Sequence, residues 1–143
     1  MFASTMDEFS TNAQNRLVDH DATESERQYA MWMHLSLLGA VVMPVVVFIV
    51  PLVMWLTRKD DSPYIDDHGR EALNFQISLA IYAIALPILA VPIGLLLCGV
   101  GIVVTVPAAA FLPYVLGAIG MIGAAKSANR GEYYRYPMSI RFL

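Results

Sequence analysis

Six side chains in this sequence could do chemistry beside a membrane: His34, His68, Glu71, Asn74, Gln76 and Ser78. Glu71, Asn74 and Ser78 stand three or four residues apart, so on a helix they share one face, which Tyr82 continues. Two amides and a carboxylate at the mouth of a long apolar run are costly unless partnered. Two uses fit them. One is a polar patch that contacts a substrate, an ion or a partner. The other is structural: hydrogen bonds across to another helix or to broken backbone near Pro44 or Pro51, at about 0.6 kcal/mol each. His34 and His68 invite a metal or haem, but no Cys or second His joins either at ligand spacing. His34 therefore reads as a helix–helix hydrogen-bond donor, and Asp66-Asp67-His68 as a hydrated helix start. Neither a metal nor a cofactor is assigned. There is no HExxH, Walker loop or nucleophile elbow, so no catalytic residue is assigned and no enzymatic activity is expected.

A second set lies near the end of the chain. Tyr133, Tyr134, Arg135, Tyr136 and Arg141 alternate aromatic and basic character. Beside a membrane helix they predict contact with anionic headgroups or a partner, at about 1 kcal/mol per basic residue near the surface, rather than with nucleic acid.

The elements that must position these residues follow from where charge is missing. The chain is 57% hydrophobic and 15% charged, and no Asp, Glu, Lys or Arg occurs from Gln28 to Thr57 or from Ala72 to Ala125. A crossing needs about 20 apolar residues, so the second interval holds two spans and a turn. The fold class is an all-α integral membrane protein. Three apolar blocks, 30–57, 72–97 and 102–128, form three or four membrane helices. Block one carries Pro44 and Pro51 and reads either as one tilted span or as a short helical hairpin. A helix start is predicted at Ser62-Pro63, and Thr23 with Glu26 has the capping-box spacing. Tyr29 and Trp32 stand where an aromatic belt would lie. Gly117, Gly120 and Gly123 give block three a smooth stripe for helix packing, first against block two and otherwise for self-association. Cys98 stands alone in an apolar run. Asp7 and Glu8 come too early for a signal peptide, so block one serves as the insertion signal.

Residues 1–25 read as an acidic, mostly flexible tail, and 26–143 as one helical membrane domain with a central loop at 58–71 and a tail at 129–143. The loop and tail carry Arg58, Lys59, Arg70, Lys126, Arg130, Arg135 and Arg141, whereas the turn after block two carries none. The positive-inside rule then makes loop and C-terminal tail cytoplasmic, in a bacterial cytoplasmic membrane. The N-terminal tail lies outside if block one crosses once, and inside if it is a hairpin.

Several runs have a familiar order: Trp32 to Leu35, Ser62-Pro63-Tyr64, His68-Gly69, Glu71 to Gln76, and Gly131 to Pro137. This order resembles the Tic-twenty-like family of small bacterial membrane proteins, a domain of unknown function, over about residues 26–143. The resemblance implies a small helical membrane protein with four membrane helices, as in the family's namesake, a membrane subunit of the chloroplast inner envelope. The functional expectation is a non-enzymatic accessory or scaffold subunit, with the lipid bilayer and other membrane proteins as partners. The alternative is a transport or channel component with a polar path near Glu71, Asn74 and Gln76.

Overall fold

The computed structural model describes residues 9–41, 46–97 and 99–143. The turn expected near Pro44, and Cys98, fall outside these residues. In chain order the elements are β1 (Phe9–Thr11), β2 (Leu17–Asp19), α1 (Glu24–Ser36), a 3-10 turn over Leu37–Val41, α2 (Val46–Arg58), α3 (Pro63–Leu96) and α4 (Ile102–Asn129).

Both predicted helix starts are present. Thr23 caps α1 in a full capping box: its N–H donates to Glu26 Oε2 at 2.7 Å, and the Glu26 N–H donates to Thr23 Oγ1 at 3.3 Å. Ser62 caps α3, accepting from the Tyr64 N–H at 3.2 Å, with Pro63 in the first turn. Helix α4 ends in a Schellman motif. Gly131 adopts φ 76°, its N–H donates to Ala128 O, and the Glu132 N–H reaches back to Ser127 O.

Helices α3 and α4 are long and apolar enough to cross a membrane, and their most apolar stretches lie mostly outside the protein interior. Ile84, Ile88 and Leu96 on α3, and Val103, Phe111 and Ile119 on α4, stand exposed, Leu96 by 85%. The core helix of a soluble protein would hide such a surface, so this one faces lipid. Two helices of crossing length are therefore present among the described residues, where three or four were expected. Block one is divided: α2 has 13 residues and a reach of about 20 Å, short of the roughly 30 Å of hydrocarbon. The Tyr29 hydroxyl, near the start of α1, donates to Met54 O near the end of α2 at 2.8 Å, so the two pieces run side by side in opposite directions. Among the described residues block one is therefore broken into short pieces rather than one continuous helix.

The buried half of the molecule lies where the first turns of α3, the last turns of α4 and α1 meet. Met33, Leu37, Ile65, Ala72, Phe75, Leu79, Met121, Ala124 and Tyr136 form its core. The glycine stripe of α4 is used here, within the chain. A Cβ on Gly117 would meet Leu79 at 3.1 Å, one on Gly120 would meet Tyr136 at 3.2 Å, and one on Gly123 the Tyr134 hydroxyl at 3.3 Å. Trp55 of α2 lies over Gly69 of α3 and donates from Nε1 to Asp66 at 2.8 Å.

The all-α expectation needs one amendment. Residues expected to form a flexible tail make an antiparallel hairpin, with Phe9 opposite Asp19 and Thr11 opposite Leu17. Asn12 Oδ1 accepts the Gln14 and Arg16 N–H groups and Asn15 takes the left-handed conformation, which together turn the chain. The hairpin is fastened to the chain beyond α4. The Tyr133 N–H donates to Leu17 O, the Asp19 N–H to Gly131 O, and Arg16 meets both Ser127 and Glu132. Acidic residues with little apolar surface order themselves here because a distant segment supplies their partners.

Candidate functional site: a buried histidine–tyrosine network

His34 and His68 are 34 residues apart in the chain and touch in the fold. Helix α1 brings His34 down from its last turn, and the second turn of α3 carries His68 up to it. His34 Nε2 and His68 Nδ1 are 2.9 Å apart, and His34 Nδ1 is 3.0 Å from the Tyr136 hydroxyl. Both imidazoles are fully buried. The Tyr136 ring stacks on Phe75 with centroids 3.7 Å apart and planes 4° from parallel, while Tyr133 lies parallel to His68 at 5.9 Å and Tyr64 meets it edge-on at 4.5 Å.

The protons can be placed by asking which arrangement leaves least unsatisfied. If the Tyr136 hydroxyl donates to His34 Nδ1, His34 keeps its proton on Nε2 and donates to His68 Nδ1. His68 is then protonated on Nε2, toward the Glu132 backbone carbonyl, although no hydrogen bond closes there. The reverse order strands the Tyr136 proton. The network is therefore a directional chain running from Tyr136 through His34 to His68. Burial, and then the neighbouring imidazole of His68, holds His34 well below the usual histidine range, so it is neutral.

The other predicted residues meet a single feature: the returning chain from Tyr136 onward. Glu71 Oε1 accepts the Tyr136 N–H at 2.7 Å. Asn74 Oδ1 accepts the Phe142 and Leu143 N–H groups at 2.9 and 3.0 Å. Ser78 Oγ accepts the Ile140 N–H at 2.7 Å and donates back to Asn74 O within its own helix. The Tyr82 hydroxyl donates to Met138 O at 2.9 Å. The shared face predicted from spacing is real, and what covers it is backbone. Gln76, off this face, is buried, and its Oε1 finds no partner among the described residues.

The tyrosine–arginine segment divides. Tyr136 does not sit at the headgroups as expected: it is 4% exposed, because its hydroxyl completes the histidine chain and its ring completes the core. Tyr133 is half-buried, its hydroxyl donating to Asp19 at 3.0 Å, and Tyr134 packs edge-on against Tyr136. Arg135 forms a two-pronged pair with Asp67, its Nη1 at 2.6 Å. Arg141 alone of the set is exposed and in no ion pair among the described residues.

Glu132, missed in the sequence reading, is the hinge between hairpin and helix. It is 6% exposed, with Arg130 at 2.7 Å and Arg16 at 3.3 Å. Its hydrogen bonds from Arg130 outweigh the effect of burial and bring its carboxyl down to about 2. The one available signal was its place between Arg130 and Arg135. Among the described residues, no three His, Cys, Asp or Glu side chains come together to hold a metal, and the facing nitrogens of His34 and His68 are spent on each other.

Among known families, the magnetosome magnetite crystal formation protein family matches residues 25–143. The chain belongs to that family. The match covers about the same stretch as the Tic-twenty-like resemblance and overturns it. No curated protein and no solved structure matches the chain. Membership makes this a membrane protein of a magnetosome family, which agrees with the two lipid-facing helices.

Proposed function

We infer that this protein is a non-enzymatic accessory subunit of the magnetosome membrane that takes part in magnetite crystal formation. The family match over residues 25–143 carries the reading. The architecture supports it: two helices anchor the chain in lipid, and the helix ends, hairpin and tail make a compact base at one face. All nine Lys and Arg residues belong to that base and none to the α3–α4 turn, a distribution that supports a base on the cytoplasmic face of the membrane. The hairpin, fastened to Glu132 and Tyr133, lies on the same face.

Of the side chains considered for a polar path, Glu71 and Asn74 are bonded to backbone of the same chain and give transport no support, and Gln76 is buried. Electron microscopy of cells lacking this protein, and of the same cells supplied with it again, tests the reading. Crystals altered in size or number should return to normal on complementation. Crystals unchanged by the loss would refute it.

A further inference from the structure

Residues 137–143 form an extended strap along α3. The chain turns after Tyr136, where the Ser139 N–H donates to Tyr136 O at 3.2 Å, and then runs back from the level of Tyr82 to that of Asn74. Its inner edge is satisfied by Asn74, Ser78 and Tyr82. Its outer side is apolar: Met138, Ile140, Phe142 and Leu143 are between 38% and 54% exposed.

The depth of the strap follows from the helix beneath it. Twenty residues of helix span about 30 Å of hydrocarbon. Counted back from Leu97 at the α3–α4 turn, they reach residue 77. Ser78 and Tyr82 thus lie just inside the hydrocarbon boundary and Asn74 just outside it. The exposed apolar side chains of the strap continue the lipid-facing surface of Ile81, Ile84 and Ile88. Non-helical backbone survives at such depth only where protein groups satisfy it, and the α3 side chains do this for the N–H groups of Ile140, Phe142 and Leu143.

We propose that 137–143 is a lipid-inserted strap seated at the boundary of headgroups and acyl chains, with the polar face of α3 as its hydrogen-bonding partner. The partner of its outer side is the bilayer itself. Arg141, exposed between Ile140 and Phe142, extends to the phosphates while its stem lies on apolar surface. This explains why a membrane helix carries Asn74, Ser78 and Tyr82 on one face. It rests on membrane residence and is independent of the magnetite reading.

The test uses the full chain with Cys98→Ala, reconstituted in phospholipid vesicles that contain brominated acyl chains. A single cysteine at Phe142, Ile88 or Ala13 carries an environment-sensitive fluorophore. The Phe142 label should be quenched clearly but more weakly than the deeper Ile88 label, as a seat at the interface requires, and the Ala13 label, on the hairpin turn, should not be quenched. A Phe142 label that behaves like the Ala13 label, with Ile88 quenched, overturns the strap. An unquenched Ile88 label would overturn membrane residence as well. Adding Asn74→Leu should at least halve quenching at Phe142 and leave Ile88 unchanged; Ser78→Ala, which removes a single bond, should act in the same direction. Unchanged quenching in both variants overturns the role given to α3.

Discussion

Replacing Tyr136 with Phe removes one atom from the buried network and little else. The ring stacked on Phe75 is kept, as is the backbone bond to Glu71. What is lost is the donor to His34 Nδ1, which lies 3.0 Å away in a site with no solvent access. A buried polar atom deprived of its partner costs about 1–3 kcal/mol, more than the net value of the bond itself. Tyr136→Phe should therefore destabilise the base by about 2 kcal/mol. His34→Phe strands two groups, the Tyr136 hydroxyl and His68 Nδ1, and should cost about 2–4 kcal/mol. The double variant discriminates further. Once His34 is gone the Tyr136 hydroxyl is already an orphan, so deleting it costs nothing more and removes a penalty. The two changes should show a coupling energy of about 1–3 kcal/mol in a double-mutant cycle. Unfolding in detergent micelles, followed by tryptophan emission and far-ultraviolet circular dichroism, measures all four corners. Additive costs, or a Tyr136→Phe variant as stable as the parent, would refute the directional chain.

Three other outcomes follow from the same geometry. His34 is neutral when folded and protonates readily when unfolded, so below its ordinary value near 6.5 the unfolded chain binds more protons. Base stability should then fall with falling pH, by up to about 1.4 kcal/mol per pH unit for each of the two buried histidines, and His34→Phe should about halve that slope. Glu132 has the opposite relation to its partners: its carboxyl lies near 2 against an ordinary 4.5. Its contribution is complete above about pH 4.5 and disappears as pH drops toward 2, and half-exposed Arg130 screens it to about 1–2 kcal/mol. Glu132→Gln should lose that amount at neutral pH and speed proteolysis at the Asn12–Asn15 turn; an unchanged cleavage rate would count against the fastening of the hairpin. Gly69→Ala sets a gain in helix propensity of about 1 kcal/mol against an overpacking cost of about 1–3 kcal/mol. A Cβ at that position falls on the Trp55 side chain, so the cost should win and tryptophan emission should shift as the Asp66 bond breaks.

Much of the scaffold can be read directly from local sequence. Thr23 with Glu26, and Ser62 with Pro63, announce helix starts because a cap needs only residues within one turn. The face of Glu71, Asn74, Ser78 and Tyr82 is readable for the same reason, since helical spacing fixes it whatever covers it. The cover was not readable. Extended backbone that presents N–H groups to side chains has no residue signature, and the tail composition fits solvent or headgroups equally well. The hairpin at Phe9–Asp19 was missed because its strands are three residues long and its stability comes from Glu132 and Tyr133, over 110 residues away. His34 as a helix–helix donor was a sound reading of a lone buried imidazole, but the Tyr136 half of its pairing lies 102 residues downstream. The Tic-twenty-like resemblance is overturned by the family match over residues 25–143.

The returning strap also imposes an order of assembly. A ribosome delivers the polar face of α3 roughly 60 residues before the segment that satisfies it, the interval between Ser78 and Ile140 being 62. Until residues 136–143 emerge, Glu71, Asn74 and Ser78 sit unpaired at the edge of hydrocarbon, where unsatisfied polar groups are costly. The newly inserted α3–α4 pair is thus an intermediate in which the Asn74 amide and the Ser78 hydroxyl lack the partners they later gain. Closure by residues 136–143 ends that exposure. A nascent protein halted before Tyr136 would keep Glu71, Asn74 and Ser78 without these partners.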